Sequence, residues 1–315
     1  MAAGLKVLIF GAGAVGSVMG GFLARMGHAV SLLGRPKHLD VIETQGLTIT
    51  GIWGNYRIKA FELYRSVDEI YKLKPNFDLI FLTVKSYDTL KAAQELAPLV
   101  QANTTVISLQ NGLGNIEAVL TSIRPEQFLA GRIITGIELS PGMVNITVTA
   151  APVEIGALPG TQPLQTAVDV AHTLALAKIP CVATNTILSV IWAKVIYNCA
   201  LNAPCALLEK PYGAMLETPE RIEEMRRIVS ECYAVAKAKN ILLEPDSAEA
   251  YMDVLIQKLI PPTAAHYPSM LRDIQNHRRT EIDSLNGAIA RYASELRVPA
   301  PENQKLTEAI RNQLC

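Results

Sequence analysis

The decapeptide VLIFGAGAVG, at residues 7–16, decides the fold of the first half of the chain. Its four apolar residues are typical of a buried strand, and the glycines that follow are typical of a tight turn leading into a helix. In that arrangement Gly11 permits the turn, Gly13 lets the backbone approach a pyrophosphate, and Gly16 allows the helix to pack closely on the strand. The stretch therefore predicts a dinucleotide site.

The N-terminus of the following helix is the expected place for the pyrophosphate. Ala14, Val15 and Gly16 supply the backbone N–H groups there, and the helix dipole favours negative charge at the same point. Glycine patterns of this kind also occur in turns that only pack, and the sequence alone leaves that alternative open.

The composition limits the classes of partner. The chain has 315 residues, half of them hydrophobic and 18% charged, and its 29 basic and 29 acidic residues balance. This balance argues against nucleic acid or an anionic membrane as a partner, while a small anion can still bind at a local positive group. The lack of an uncharged apolar run of about 18 residues predicts no membrane span. The N-terminal pattern predicts a cytoplasmic location.

The five cysteines show neither a CxxC pattern nor a metal-ligand spacing with histidine. Reduced thiols and the absence of a metal site are therefore expected.

Apolar runs alternate with helical segments through the first half, which predicts a doubly wound, mostly parallel α/β sheet of the Rossmann type. The predicted strands are residues 7–10, 29–33, 79–84, 105–109 and 133–139, and the predicted helices between them include 14–26 and 87–99. After Pro141, the alternation over residues 143–149 predicts a half-exposed antiparallel strand, with a hairpin-like return through 153–156.

The second half is predicted to be helical. A helix at residues 164–177 and a short strand at 180–183 precede it, and Thr218, Ser247 and Pro301 mark helix starts. We place the boundary at residue 184. Residues 1–183 are then a Rossmann-type dinucleotide-binding domain, for which the residues discussed next favour NADP, and residues 184–315 are an all-helical domain, for which they favour a substrate-binding and catalytic role.

The end of the second predicted strand indicates the type of dinucleotide. An acidic residue there would bind the ribose 2′-hydroxyl of NAD, whereas an arginine suits the 2′-phosphate of NADP. Here the strand is followed by Arg35 and Lys37, and the first carboxylate is Asp40. A guanidinium presents a planar, permanently charged fork to a phosphate. The sequence favours NADP(H), with two solvated surface cations as the alternative.

Polar residues also follow the third and fourth predicted strands. Lys85 follows the third, and Asn111 follows the fourth in the sequence Gln110-Asn111-Gly112. Because ligands of such sheets bind beyond the carboxyl ends of the strands, both side chains are expected near the reactive end of the cofactor. A solvated lysine and a simple Asn-Gly turn are the alternatives.

The longest apolar segment of the second half carries a polar stripe. Lys194, Asn198 and Asn202 recur at intervals of four, which places them on one face of a helix. Because burying a lysine is costly unless it has a partner, we interpret the stripe as lining a cleft. A narrow solvent-facing edge is the alternative.

Ser269 and Glu281 complete the set of candidate polar residues. Ser269 could serve only as a helix N-cap, and Glu281 could be a helix-surface carboxylate paired with Arg278 or Lys194. Periodicity alone does not single them out.

Together these motifs resemble those of the ketopantoate reductase family. The resemblance spans nearly the whole chain, and its most specific part is the lysine helix followed by the serine and the glutamate. It implies that hydride passes from NADPH to the 2-keto group of ketopantoate (2-dehydropantoate), giving pantoate on the route to pantothenate and coenzyme A. The implied ligands are thus NADP(H) and a small 2-keto acid.

The resemblance also implies roles for individual residues. Lys194 would be the general acid, and Glu281 would bind the substrate hydroxyl and the lysine. Ser269 would bind the substrate carboxylate, with Asn198 and Asn202 at the polar ends of the substrate. Lys85 and Asn111 would lie near the nicotinamide and ribose, and Asn111 is also a candidate substrate ligand.

Two positions depart from the family pattern. Tyr212 and His266 stand where the family commonly has asparagines in the substrate region. A related 2-keto acid or 3-hydroxy acid dehydrogenase with a different small substrate is therefore the alternative function. Because helical C-terminal domains often pair, a homodimer is one expectation for the assembly.

Overall fold

The computed structural model describes residues 4–313. Contacts within this range divide the chain into two compact units. Unit 1 comprises the residues up to 110 together with 115–187, and unit 2 comprises 111–114 together with the residues from 188 onward. The loop 111–114 thus packs with the helical unit. The domain boundary at residue 184 remains a proposal about the extent of the two domains.

Unit 1 contains ten strands and six helices within the described residues. Its strands are β1 Lys6–Phe10, β2 Ala29–Leu33, β3 Leu47–Gly51, β4 Tyr56–Ile58, β5 Glu62–Tyr64, β6 Leu79–Leu82, β7 Thr105–Ser108, β8 Phe128–Ser140, β9 Met143–Ala157 and β10 Cys181–Ala183. Its helices are α1 Ala14–Arg25, α2 Pro36–Gln45, α3 Val67–Leu73, α4 Thr89–Leu96, α5 Asn115–Leu120 and α6 Leu164–Leu176.

The strands form one sheet in the order β4-β3-β9-β8-β7-β6-β1-β2-β5, and β10 also pairs with β9. The run from β5 to β8 is parallel, while the β8–β9 and β3–β4 pairs are antiparallel. This confirms the predicted Rossmann-type, mostly parallel sheet. The central strands β1, β6 and β7 are almost wholly buried, because helices cover both faces of such sheets.

The strand limits differ from the prediction by one residue at β1, β7 and β10 and by more at β6, β8 and β9. β6 ends at Leu82, two residues early, and β8 is longer than residues 133–139 because it pairs with β9 from Leu129 to Ser140. Residues 143–157 form one continuous strand, so the predicted return through 153–156 is wrong. Pro152 lies at an irregularity in the β8–β9 register, where its missing N–H breaks no regular ladder bond.

The described residues of unit 2 form six α-helices. They are α7 Ile187–Leu208, α8 Pro219–Ala238, α9 Ala248–Val254, α10 Ser269–Gln275, α11 Asn286–Leu296 and α12 Pro301–Asn312. The hydroxyls of Thr218 and Ser247 accept hydrogen bonds from backbone N–H groups of the first turns of α8 and α9, and Pro301 occupies the first turn of α12. The helical C-terminal domain is confirmed.

Helix α7 is the core helix of unit 2. By length and composition it could also cross a membrane, with a mean hydropathy of 1.2 over its most apolar window. However, 61% of that window is buried inside the protein, which is typical of the central helix of a globular domain. Trp192, Ile196 and Cys199 are among its buried residues.

Candidate active site

The glycine turn of unit 1 is built from backbone hydrogen bonds. The N–H groups of Gly11 and Ala12 both donate to the carbonyl of Leu33, at 3.1 and 2.7 Å, and Gly13 N–H donates to Gly11 C=O at 2.7 Å. These three N–H groups are therefore used inside the turn. The first turn of α1 follows, and the N–H groups that open a helix have no intrahelical partner.

The start of α1 suits an anion. Within the described residues, no side chain caps this helix, and its first turn contains no acidic residue. The N–H groups of Ala14, Val15 and Gly16 thus remain at the positive end of the helix dipole. This is the arrangement that binds a pyrophosphate.

The glycines of the turn have different structural reasons. A Cβ at Gly16 would lie 2.4 Å from Gly11 O and 2.6 Å from Thr83 Oγ1, so close packing requires glycine there. A Cβ at Gly13 would meet nothing nearer than Gly11 O at 4.0 Å among the described residues. Packing does not require glycine at position 13, which fits a backbone that a ligand approaches. The residues present therefore fit a dinucleotide.

Arg35 lies beside this turn. It is the N-cap residue of α2, is exposed, and follows Gly34, where a Cβ would lie 2.9 Å from the Cβ of Ala12. Lys37 is also exposed, and the first turn of α2 has no acidic residue in the described structure. The exposed guanidinium is thus available to an anionic group near the turn.

Thr83 and Gln110 hold the ends of the neighbouring strands, and the sequence reasoning missed both roles. Thr83 Oγ1 donates to Gly11 C=O at 2.7 Å, which ties β6 to the glycine turn. Gln110 Nε2 donates to Val84 C=O at 3.0 Å, which ties β7 to the segment after β6. Lys85, half-buried, follows Val84 and precedes a short 3₁₀ turn.

In unit 2, Lys194 of α7 contacts Asn111. Lys194 Nζ donates to Asn111 Oδ1 at 2.5 Å, and both residues are half-buried. The two residues are 83 positions apart in the chain. A half-buried ammonium held by an amide oxygen can donate a proton or a hydrogen bond to an oxyanion beside it.

The other residues of the polar stripe differ in burial. Asn198 is half-buried, whereas Asn202 is only 5% exposed. Asn202 Oδ1 accepts the backbone N–H of Met270 at 3.4 Å, so this side chain secures the first turn of α10. Ser269 is the first residue of α10 and is exposed. Asn202 therefore supports the backbone that carries Ser269.

Glu281 is half-buried and immediately precedes a 3₁₀ turn at Ile282–Ser284. It is not on the surface of a regular helix, which corrects that alternative. Arg278 forms an ion pair with Asp273 at 3.0 Å.

Tyr212 and His266 contact each other. Their rings lie 5.3 Å apart between centroids, and the backbone N–H of Tyr212 donates to His266 C=O at 3.0 Å. Tyr197 of α7 packs edge-on against Tyr212 at 5.8 Å and hydrogen-bonds to Thr263 through its hydroxyl. Burial raises the pKa of both tyrosines and lowers that of His266, where the charge of Arg272 acts in the same direction. The three rings form a contiguous aromatic cluster, with Tyr197 three residues after Lys194.

Comparison with known proteins identifies the family. The family model described as ketopantoate reductase PanE/ApbA matches residues 7–160, and the model of its C-terminal domain matches residues 186–313. The chain belongs to the ketopantoate reductase family. A curated 2-dehydropantoate 2-reductase of Aquifex aeolicus is 35% identical over 308 residues, which cover 98% of this chain and 96% of that protein.

Solved structures agree with the family. A PanE/ApbA family ketopantoate reductase from Ralstonia eutropha superposes with a TM-score of 0.87 at 30% identity, covering 98% of both chains. A D-mandelate dehydrogenase in ternary complex with NADH and anilino(oxo)acetate superposes with a TM-score of 0.86 at 28% identity, again covering 98% of both chains. The chain is therefore an oxidoreductase-family protein with a Rossmann-like fold.

Proposed function

We propose that the protein reduces the 2-keto group of ketopantoate to the hydroxyl of pantoate, with NADPH as hydride donor, in the cytoplasmic synthesis of pantothenate and coenzyme A. The observation that carries this proposal is the half-buried Lys194 ammonium held by Asn111 Oδ1 at 2.5 Å. The family's membership and its curated 2-dehydropantoate 2-reductases support the substrate.

A nicotinamide dinucleotide is the proposed cofactor, and it supplies the hydride when bound. The N–H groups of Ala14, Val15 and Gly16 would hold its pyrophosphate. Arg35, exposed at the start of α2, supports NADP(H) over NAD(H), because a guanidinium fork matches a phosphate dianion. The similar D-mandelate dehydrogenase binds NADH, so the fold also accepts the cofactor without a 2′-phosphate. The preference for NADP(H) in this chain therefore rests on Arg35. Lys85 and Asn111 are proposed near the nicotinamide and ribose.

Lys194 is proposed as the proton donor. Addition of hydride to a keto carbon leaves an oxyanion, and an adjacent ammonium stabilises this charge and supplies the proton. Asn111 would hold the ammonium in place, and Glu281 would bind the substrate hydroxyl and keep the lysine charged. Asn111 also remains a proposed substrate ligand.

Ser269 and Asn198 are proposed to bind the polar ends of the substrate, Ser269 through the carboxylate. Asn202 was assigned the same role from the resemblance. Its side-chain oxygen is engaged by Met270 N–H, so we propose that Asn202 acts on the substrate mainly by fixing the backbone at Ser269.

A different 2-keto acid is the second candidate substrate. The ring contact between Tyr212 and His266 favours it, because two aromatic side chains replace short amides at positions implied to face the substrate. The similarity to a D-mandelate dehydrogenase that binds anilino(oxo)acetate likewise supports a 2-keto acid with a bulkier side chain. Comparing kcat/KM for ketopantoate, 2-ketoisovalerate and benzoylformate separates the two. A preference of more than about tenfold for another acid, about 1.4 kcal/mol in transition-state binding, would exclude ketopantoate as the main substrate.

The Lys194→Ala variant tests the proposed chemistry. We expect kcat for ketopantoate to fall by about 10²–10⁴, because the variant loses both the proton and the positive charge at the oxyanion. The matched control is Lys237→Ala, which removes an exposed lysine of α8. Full activity of Lys194→Ala in protein that still binds NADPH would contradict the proposed role.

A further inference from the structure

The loop 111–114 is fastened to the turn that follows Glu281. We propose that Gly112 and Ser284 are positioning residues, which together form a clasp that holds Asn111 Oδ1 against Lys194 Nζ. The clasp consists of two contacts with Ser284, the close approach of Gly112 and the hydrogen bond from Leu113 N–H. This inference rests on the proposed function, since it takes Lys194 as the proton donor.

A chain of hydrogen bonds links the loop to Glu281. Leu113 N–H donates to the carbonyl of Ser284 at 2.7 Å. Ser284 in turn donates twice to the carbonyl of Glu281, from its backbone N–H at 3.1 Å and from Oγ at 2.9 Å. The backbone next to Asn111 and the backbone of Glu281 are therefore connected through one residue.

Gly112 permits this close approach. Its φ is +90°, a conformation that side chains with a Cβ rarely adopt. A Cβ at this position would lie 2.5 Å from Ser284 Oγ, 2.6 Å from Ser284 Cβ and 2.6 Å from Ser284 O. All three atoms belong to Ser284, whose backbone is held in a hydrogen-bonded turn. The turn therefore cannot move away easily. Glycine is required here by a contact as well as by a dihedral angle.

Leu113 anchors the loop from its other side. Its side chain is 8% exposed and belongs to the hydrophobic core of unit 2. The residue after Gly112 is thus held by both its side chain and its N–H group. With its neighbours fixed in this way, Asn111 loses little further conformational freedom when it binds Lys194.

The clasp should therefore affect the chemical step more than cofactor binding. A displaced loop would carry the amide oxygen away from the ammonium and leave Lys194 less well oriented toward a developing oxyanion. Misplacement of a catalytic group by about 1 Å lowers rates by about a hundredfold. The dinucleotide turn of unit 1 lies in a different part of the sequence and would keep its own hydrogen bonds.

The first experiment measures the clasp without using activity. We compare hydrogen exchange of the Leu113 amide in the full-length protein and in Gly112→Ala. The matched control is Gly27→Ala, which places the same residue at φ +88° with no atom of the described residues within 4 Å of its Cβ. We expect Gly112→Ala to exchange at least about tenfold faster at Leu113 and Gly27→Ala to match the unsubstituted protein there. Unchanged protection in Gly112→Ala would overturn the clasp.

The second experiment asks whether the clasp acts through Asn111. With ketopantoate and NADPH, Gly112→Ala is expected to lower kcat by about 10–100-fold while the Kd of NADPH changes less than about twofold. In the Asn111→Ala background, the same substitution should lower kcat by less than about threefold. A purely structural glycine would lower kcat equally in both backgrounds, and that result would refute the positioning role.

Ser284→Ala covers the case in which Gly112→Ala does not fold. It removes the Oγ bond to Glu281 C=O and leaves the backbone bonds of the turn in place, so we expect a fall in kcat of about two- to fivefold that disappears in the Asn111→Ala background. Equal effects in both backgrounds would again refute the clasp. Full activity of Lys194→Ala would instead contradict the proposed function, and the Leu113 exchange result would be unaffected by it.

Discussion

His38 joins three segments of unit 1, and its replacement should weaken the unit in a pH-dependent way. The side chain is 6% exposed. Its Nδ1 accepts the N–H of Gly142 at 3.0 Å, in the turn between β8 and β9, which leaves Nε2 protonated and able to donate to Ser17 Oγ of α1 at 2.9 Å. One neutral imidazole thus satisfies two buried polar groups.

The size of the effect follows from these two bonds. In His38→Leu, Gly142 N–H and Ser17 Oγ both lose their partner, and each unsatisfied buried group costs about 1–3 kcal/mol. We therefore expect the free energy of unfolding of unit 1 to fall by about 2–6 kcal/mol at pH 7.5. His38→Asn should lose less, because its side-chain oxygen can still accept from Gly142 N–H.

The pH dependence has a definite sign. Burial lowers the pKa of His38, and the nearby backbone of Ser140, which favours the protonated ring, opposes this only in part. The unfolded chain therefore takes up a proton more readily than the folded one. The contribution of neutral His38 to the free energy of unfolding is complete above the pKa of the histidine in the unfolded chain, about 6.5. It is lost as the pH falls toward the lower pKa of His38 in the folded protein, by at most about 1.4 kcal/mol per pH unit. His28, whose pKa burial also lowers, adds a second contribution of the same sign in unit 1.

Urea unfolding at pH 7.5 and pH 5.5 measures both effects. The chain has two tryptophans, so in a Trp192→Phe background the fluorescence of Trp53 reports on unit 1 alone. His38→Leu should be destabilised at pH 7.5 and should lose less stability on acidification than the parent protein. His172→Leu, which removes an exposed histidine of α6, should change neither value by more than about 0.5 kcal/mol. Two results would contradict the role of His38. One is a change in the free energy of unfolding between pH 7.5 and pH 5.5 that is the same in His38→Leu as in the parent protein. The other is a decrease in the free energy of unfolding at pH 7.5 of less than about 1 kcal/mol.

Two further predictions concern ligand binding. Arg35→Ala should raise the Kd of NADPH by about 10–100-fold and that of NADH by less than about threefold, because a charge-assisted contact with a phosphate contributes about 1.5–3 kcal/mol. Fluorescence titration measures both Kd values. Equal increases in the two would show that Arg35 does not bind the 2′-phosphate. Asn202→Leu should leave Met270 N–H buried without its acceptor and shift Ser269. We expect KM for ketopantoate to rise by about tenfold, with a smaller effect on kcat. An unchanged KM in steady-state kinetics would show that Asn202 has no part in substrate binding.

The sheet could be predicted where its strands are continuous apolar runs. β1 and β2 lie at the predicted positions, because strands buried on both faces leave a signal that depends on composition alone. The edge strands β4 and β5 were missed, since three residues are too few for a periodic pattern. β3 offered a weak signal in the alternation of Leu47 and Ile49 with two threonines, and both apolar residues are indeed buried.

The polar stripe of α7 shows what spacing can and cannot determine. Intervals of four place Lys194, Asn198 and Asn202 on one helical face, but partners come from segments distant in the chain. Asn202 binds the backbone of Met270, 68 residues away, and Lys194 binds Asn111, 83 residues away. Two residues of one stripe thus have different roles. Asn202 supports the first turn of α10, and Lys194 carries the charge that Asn111 holds. Substitutions at these two positions should therefore separate kinetically, through KM at Asn202 and through kcat at Lys194.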